Sequence, residues 1–249
     1  MKPIHLGPAQ MIHALGENNK GMEFALLHVL MKHDNYLEYY KEINKNIILD
    51  NSMYELGKPL NYDDLERHAL YLSKPKRIVY VVLPDYLHDC RHTIESFTEY
   101  TSKIHFAMFE KYCRPLPVIQ AKNQAELQAS KHFYIKELRR YWPDEKPLLA
   151  IPKLSVFRED IVYGKTLWDK DYSLHMFGCN SFDEWVEMNK NPQIISSDGF
   201  LVARTVLGKE RFGKNWGEKK FFYNPTETEL ENIRFGCFHM TRLLETFSK

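Results

Sequence analysis

The sequence predicts an α/β protein, a (β/α)8 TIM barrel in a single domain of 249 residues. Its length is close to the roughly 250 residues typical of such barrels. Short apolar runs alternate with stretches of helical character, which is the pattern of a parallel sheet with crossover helices. Polar residues follow the apolar runs repeatedly, at the strand ends where barrel enzymes place their chemistry. A hydrophobic share of 44% and a charged share of 27% exclude a disordered chain.

The predicted strands are short apolar runs, several of them rich in β-branched residues. They are Phe24–Leu30, Ile47–Leu49, Ile78–Leu83, Leu116–Ile119, Leu148–Ile151, Ser173–Phe177 and Gln193–Ile195. A weaker eighth strand is expected near Ile4–Leu6 or Met11–Leu15.

Helical segments fill most of the intervals between these strands. They are Tyr62–Leu72, His88–Glu110, Gln124–Tyr141, Phe157–Trp168 and Phe182–Asn189. The four residues Thr226-Glu227-Thr228-Glu229 form a capping-box pattern, which predicts a C-terminal helix at about 226–247.

Composition and motifs exclude several classes of function. A net charge of +1 gives no global attraction to nucleic acid, so such binding must come from a local patch. The four cysteines include no Cys-x-x-Cys pair, which argues against a disulfide framework or structural zinc. Dinucleotide-binding, P-loop, serine-hydrolase and zinc-protease motifs are missing. The first residues lack a signal-peptide core and the longest apolar run is too short to cross a bilayer, so we expect a cytoplasmic protein.

The candidate site residues follow the predicted strands, each at the end of a different one. They are Asp50, Asp85, Gln120, Lys153, Gly178 and Asp198. Because the carboxyl ends of parallel strands meet at one mouth of a barrel, these residues predict a polar pocket with three carboxylates and an amide. Asp198 is the candidate nucleophile.

Each of these residues also has a structural explanation. Asp85 could be the N-cap of the next helix, and Asp50 could form an Asx-turn. Gln120 could be a loop residue that bonds the backbone, and Phe177 could be ordinary barrel core. Several histidines have no metal-ligand spacing, so we expect them to be structural or to lie near the substrate. These are His5, His13, His28 and His175.

A basic and aromatic segment at about 204–224 follows Asp198. Its cations are Arg204, Lys209, Arg211, Lys214, Lys219 and Lys220, interleaved with Phe212 and Trp216. The segment is either a solvated loop or a flap that binds phosphate groups.

Taken in order, these residues resemble the tRNA-guanine transglycosylase family, whose (β/α)8 barrels exchange guanine for a 7-deazaguanine in nucleic acid. The family's strand-end motif Asp-Ser-Gly-Gly-aromatic is matched by Asp50-Asn51-Ser52-Met53-Tyr54. Its base-reading Asp is matched by Asp85, and its Val-Gln-Gly by Ile119-Gln120-Ala121. Its apolar-Met-Gly turn is matched by Met176-Phe177-Gly178.

The family also has a nucleophilic Asp followed six residues later by Arg. Asp198 and Arg204 keep that spacing, with Val202-Ala203 in place of Pro-Thr. The family's zinc motif, Cys-x-Cys-x-x-Cys with a His, is missing, and Pro152-Lys153 replace two glycines. The chain is also shorter than tRNA-modifying members. It therefore looks most like the phage and bacterial branch that inserts 7-deazaguanines into DNA, which would work in the host cytoplasm if phage-encoded.

The resemblance implies a role for each matched residue. Asp198 would be the nucleophile and Asp50 the general acid and base. Tyr54 and Phe177 would hold a flipped base between them. The remaining base contacts would come from Asn51, Asp85, Gln120, Lys153 and Gly178, and the basic segment would bind phosphates. The implied partners are DNA, free guanine and a free 7-deazaguanine such as 7-cyano-7-deazaguanine, and the implied mechanism needs no metal or organic cofactor.

Three other functions stay open at this point. The chain could be a transglycosylase that acts on tRNA. It could be a nucleic-acid glycosylase that releases guanine, with water instead of a new base resolving the intermediate. It could also be a non-catalytic binder of 7-deazaguanine or nucleic acid, although three retained aspartates argue against that.

Overall fold

The computed structural model describes residues 2–5, 22–102, 112–163, 170–179, 181–199, 226–228, 231–232 and 235. Within these residues the chain has a mixed α/β fold with two four-stranded parallel sheets, which confirms the predicted α/β class. No helix in the described ranges combines the length and the apolar character needed to cross a bilayer.

The two sheets adjoin and point the same way. Their strands are β1 (Lys2–His5), β2 (Glu23–Leu26), β3 (Ile47–Asp50), β4 (Val79–Val82), β5 (Cys113–Leu116), β6 (Leu148–Ile151), β7 (Ser173–Met176) and β8 (Ile194–Gly199). The strand orders are β1-β8-β7-β6 and β2-β3-β4-β5. A parallel bridge joins Val118, just after β5, to Ala150 of β6. The carboxyl ends of both sheets therefore lie at the same edge.

The longer helices bury apolar residues against these sheets. In the described residues they are α1 (Leu27–Leu30), α2 (Asp34–Glu42), α3 (Met53–Leu56), α4 (Tyr62–Leu72), α5 (Cys90–Ser102), α6 (Gln124–Tyr141), α7 (Arg158–Tyr163) and α8 (Phe182–Lys190). In α4, Leu65, Ala69 and Leu72 are spaced by three and four residues and are fully buried. Side-chain caps open α4, α6 and α8: Asn61 accepts from the N–H of Asp63, Asn123 from that of Glu126, and Ser181 from that of Glu184. These signals explain why α4, α6 and α8 begin where the sequence predicts.

The predicted strand Phe24–Leu30 is wrong in its second half. The chain is β-strand only over β2 and then turns into the short helix α1. All residues of α1 are buried. A short, wholly buried run carries no periodicity that separates strand from helix, so the pattern could not show the change.

Two further strands have different bounds from those predicted. β5 ends at Leu116, before Pro117, which has no N–H to offer a sheet ladder. β8 extends to Gly199 and pairs with β1, so Asp198 lies inside the strand and does not follow it. The predicted eighth strand is β1, near Ile4–Leu6; the other choice, Met11–Leu15, lies outside the described residues, as do 103–110, 164–169 and most of the C-terminal helix.

Arg77 ties α2 to the sheet below it, and its removal is expected to destabilise the fold. Its buried guanidinium donates to the carbonyls of Tyr40 at 2.8 Å and Ile43 at 2.8 Å, at the end of α2. Helix C-termini leave carbonyls that need such donors. Arg77→Met would leave them buried without this partner, so we expect a loss of about 2–4 kcal/mol in the free energy of unfolding, measured by urea denaturation.

Arg67→Met is the matched control, because the Arg67 side chain is exposed and pairs with Asp64 on the same helix. We expect it to change the free energy of unfolding by less than about 0.5 kcal/mol. Equal denaturation midpoints for the two variants would contradict the role of Arg77.

Candidate active site at the carboxyl ends of the strands

Asp85 is held by two amide side chains from neighbouring strand ends. Its Oδ1 accepts from Asn51 Nδ2 at 2.8 Å, and its Oδ2 accepts from Gln120 Nε2 at 2.6 Å. All three side chains are buried. Burial raises the pKa of Asp85, while the hydrogen bonds from Asn51 and Gln120 oppose that rise. Each carboxylate oxygen keeps a second lone pair, so Asp85 can still accept from a ligand.

The helix-cap explanation of Asp85 does not hold. Asp89 occupies the cap position of α5, because its Oδ1 accepts from the N–H of His92 at 3.0 Å. Gln120 does bond the backbone, as its structural explanation requires: its Oε1 accepts from the N–H of His88 at 3.1 Å. The same amide also donates to Asp85, so it fixes both the loop and the carboxylate.

Asp50 is the last residue of β3 and is buried beside other acids. Its Oδ2 accepts from the N–H of Ser52 at 2.7 Å, which is the Asx-turn expected from the sequence. Burial raises the pKa of Asp50 well above its ordinary value, and the negative charges of Glu55, Asp85 and Asp198 raise it further. Asp50 therefore keeps its proton to a higher pH than an ordinary aspartate does.

Asp198 lies near the carboxyl end of β8, in the other sheet, and is close enough to Asp50 to affect its pKa. Its Oδ1 accepts from the N–H of Gly178 at 2.9 Å, and it is only 6% exposed. His175 Nε2 lies 3.3 Å from the same oxygen, but off the direction of a hydrogen bond. Within the described part of the chain, no group donates a hydrogen bond to Oδ2 of Asp198. The backbone N–H of Gly178 therefore holds one oxygen of the Asp198 carboxylate.

The two aromatic rings expected to sandwich a base are placed differently from each other. Phe177 is half-buried and packs edge-on against Phe24 and His175, with ring centroids 5.9 and 4.8 Å apart. Tyr54 is 56% exposed, and Lys153 Nζ lies 6.0 Å from its ring centroid. Tyr54 and Phe177 make no ring contact with each other in the described structure.

Lys153 spans the distance between Gly178 and Tyr54. Its Cδ lies 3.0 Å from the point where a Cβ on Gly178 would be, and its Nζ faces the Tyr54 ring. A ligand that stacks on Tyr54 would therefore meet the Lys153 ammonium or displace it.

A substitution at Gly178 is expected to disturb the site more than the fold. Gly178 has φ +63° and Gly57 has φ +71°, and both conformations disfavour a side chain. A Cβ at Gly178 would press on Lys153, whereas one at Gly57 would meet nothing within 4 Å. We expect Gly178→Ala and Gly57→Ala each to lose about 1 kcal/mol of stability, measured by thermal melts. Only Gly178→Ala should also lower the affinity of the site for its ligand. If the two variants bind the ligand equally well, Lys153 does not lie in the site.

One residue that supports the site, Arg158, could not be recognised from the sequence. Arg158, in α7, donates to the carbonyls of Phe177 at 2.7 Å and Gly178 at 2.8 Å, and pairs with Glu184 of α8. It thereby fixes the turn whose N–H bonds Asp198. Two acidic residues follow Arg158 in the sequence, and charged residues in such a run usually form the solvent-exposed face of a helix.

The predicted phosphate-binding residues lie outside the described residues. They are Arg204, Lys209, Arg211, Lys214, Lys219 and Lys220. No cluster of His, Cys, Asp and Glu side chains in the described ranges could hold a metal ion. Comparison with protein-family models and with curated proteins gives no match to this chain.

Proposed function

We propose that the chain is a base-exchange transglycosylase that replaces guanine in DNA with a 7-deazaguanine through a covalent glycosyl-aspartate. The observation that carries the proposal is the cluster of Asp50, Asp85 and Asp198. These carboxylates come from three different strand ends, are all buried, and lie close enough for Asp85 and Asp198 to raise the pKa of Asp50. A structural core has no need of three neighbouring acids, because burying like charges together is unfavourable.

In the first displacement Asp198 acts as the nucleophile and Asp50 as the general acid. Oδ2 of Asp198 attacks the sugar carbon C1′, and the bond from C1′ to the guanine nitrogen breaks. The bonding electrons leave with guanine, which takes a proton from Asp50. The raised pKa of Asp50 supports this role, because a carboxyl that keeps its proton to a higher pH is better able to donate it to the leaving base.

The second displacement runs the same steps in reverse with a new base. Asp50, now ionised, removes a proton from the incoming 7-deazaguanine. The nitrogen of that base attacks C1′, and the ester to Asp198 breaks, returning its carboxylate. Two inversions at one carbon give overall retention, as in retaining glycosidases.

The base would be recognised by the Asp85 carboxylate and by the aromatic rings of Tyr54 and Phe177. A base in a duplex must be flipped out before its glycosidic bond can be reached. Asp85 would accept from the ring N–H and 2-amino groups of guanine, and Gln120 would bond its oxo edge. Tyr54 is exposed and free to stack on an entering base, and Lys153 would move aside or bond the base edge.

The proposal includes closure of the two sheets into one eight-stranded barrel. At one junction the backbone of Ile119 bonds that of Ala150 at 2.9 Å. At the other, β1 approaches β2. Phe24 of β2 packs against His175 and Phe177 from the opposite sheet, as side chains in a barrel interior do. A barrel would bring all eight strand ends to one mouth.

The test is incorporation of radiolabelled guanine into polymer. We expect the purified full chain to incorporate label into guanine-containing duplex DNA, and unlabelled 7-deazaguanine base to compete. Incorporation into tRNA alone would assign the enzyme to the tRNA branch. Release of guanine without incorporation would indicate a glycosylase, and neither event with either polymer would overturn the proposal.

A further inference from the structure

His175 contacts both Ser196 and Asp198, and the proposed mechanism gives these contacts no role. We infer that His175, oriented by Ser196, is a positioning residue that holds Oδ1 of Asp198 and so selects Oδ2 as the reacting oxygen. The inference rests on the proposed function for its kinetic consequence, but the arrangement itself can be tested without catalysis.

Sheet register brings the three side chains together. Residues two apart on a strand share a face, so His175 and Phe177 lie on one face of β7 and its extension, and Ser196 and Asp198 on one face of β8. His175 pairs in register with Ser196. Its Nδ1 lies 2.9 Å from Ser196 Oγ, and its Nε2 lies 3.3 Å from Asp198 Oδ1. The imidazole therefore bridges the serine and the carboxylate.

The His175 ring has no freedom to turn away. It is fully buried, stacks on Phe24 at 5.9 Å and meets the edge of Phe177 at 4.8 Å. Its Nε2 has no hydrogen-bond partner within the described residues, although it is buried and faces the site. A buried nitrogen without a hydrogen-bond partner destabilises the folded state unless its interaction with the neighbouring Asp198 carboxylate compensates.

The Asp198 carboxylate decides which ring nitrogen carries the hydrogen. A lone pair on Nε2 would be repelled by Oδ1, whereas an N–H there would be attracted to it. The favourable tautomer has its hydrogen on Nε2, and Nδ1 then accepts the hydroxyl hydrogen of Ser196. In this arrangement His175 keeps its proton throughout the reaction.

Both contacts on Asp198 then fall on the same oxygen. The Gly178 N–H and the His175 Nε2–H stabilise negative charge on Oδ1. Oδ2 keeps its lone pairs for the sugar carbon, so the side chain is orientated before substrate arrives. Preorganisation of this kind lowers a barrel enzyme's activation barrier without a new contact to substrate.

The first test reads the tautomer in the resting protein. Long-range proton–nitrogen NMR of the full chain with 15N-labelled histidine assigns His175 as the signal lost in His175→Phe. We expect the coupling pattern of the Nε2–H form. A hydrogen on Nδ1 alone would overturn the inference, whatever the protein catalyses.

The second test measures the single-turnover rate of DNA–protein adduct formation. We expect His175→Phe to lower that rate about ten- to a hundredfold, as loss of a residue that orients a ligand does in metal sites, with unchanged affinity for DNA. His175→Gln should recover part of the rate, because its amide can place an N–H where Nε2 was. If the ring only fills space, phenylalanine will match the wild-type rate or exceed the glutamine variant, and the inference fails.

Two serines on β8 provide a matched pair. Ser196→Ala removes the partner of Nδ1 and should slow adduct formation. Ser197→Ala should leave the rate unchanged, because the equally buried Ser197 donates instead to the carbonyl of Met176 at 2.8 Å. Equal rates for the two variants would remove Ser196 from the arrangement. A wild-type chain that forms no adduct would defeat the proposed function, while the tautomer would still decide the role of His175.

Discussion

Replacing Asp198 with asparagine is expected to abolish base exchange, lowering its rate on the order of 10⁴-fold or more. An amide is a poor nucleophile, so the bond to the sugar carbon cannot form and the glycosyl-enzyme never accumulates. The fold should survive, because the amide oxygen can still accept from the N–H of Gly178, now 2.9 Å from Oδ1. The change therefore removes chemistry and leaves the geometry in place.

The measurement combines label incorporation with denaturing electrophoresis of enzyme mixed with DNA. The wild type should show a band that resists denaturation, and the Asp198→Asn variant should not. Asp144→Asn is the control, because Asp144 is exposed and distant along the chain from the acidic cluster. A resistant adduct that persists in Asp198→Asn would show that another residue is the nucleophile.

The acidic cluster could be predicted because its signal is local. Asp50, Asp85, Gln120 and Asp198 each lie at the carboxyl end of a buried apolar run, and parallel strands bring such ends together. The α/β class follows from the same alternation of strand and helix. These features need only the identity of a residue and its place relative to one strand.

The features that escaped prediction depend on register and on side-chain direction. His175 meets Ser196 only because β7 and β8 pair with those residues opposite, across an irregularity after Leu174. Arg158 reaches Phe177 from another element, and Glu55 lies near Asp50 because of a turn through Ser52, whose φ is +63°. A single sequence does not determine the register of paired strands or which side chains meet across them.

The length of β8 illustrates the same limit. Ser196, Ser197 and Asp198 look like a polar exit from a strand, and the sequence places the strand end at Ile195. The hydroxyls instead find partners inside the sheet, on His175 and on the carbonyl of Met176. Buried polar residues that are fully hydrogen-bonded can extend a strand, and composition alone cannot show that the bonds are available.

Asp50→Asn is expected to slow exchange by about 10²–10⁴-fold and to make the covalent intermediate persist. The variant cannot protonate departing guanine, and it cannot take a proton from the incoming base. Adduct that does form should therefore be resolved very slowly. Following the resistant band over time tests this. Rapid turnover of adduct in Asp50→Asn would show that the general acid and base is another residue, and Glu55, whose charge acts most strongly on Asp50, would be the next candidate.

The same substitution should also stabilise the protein at neutral pH, which separates the role of Asp50 in activity from any role in folding. Because burial and neighbouring acids raise its pKa, folded Asp50 binds its proton more tightly than the unfolded chain does. Above the unfolded pKa, ionisation therefore favours the unfolded state, and stability is lost as pH rises towards the folded pKa. Asparagine has no such dependence and can still accept from Ser52.

The melting temperature of Asp50→Asn should thus match that of the wild type near pH 4 and exceed it increasingly as the pH rises from there towards the folded pKa. Asp144→Asn should show no such trend, because Asp144 is exposed in both states. A difference independent of pH would mean that Asp50 is not held in its protonated form. A more stable but slower variant would indicate that the buried Asp50 carboxyl serves the chemistry at a cost in stability, which a purely structural residue would not impose.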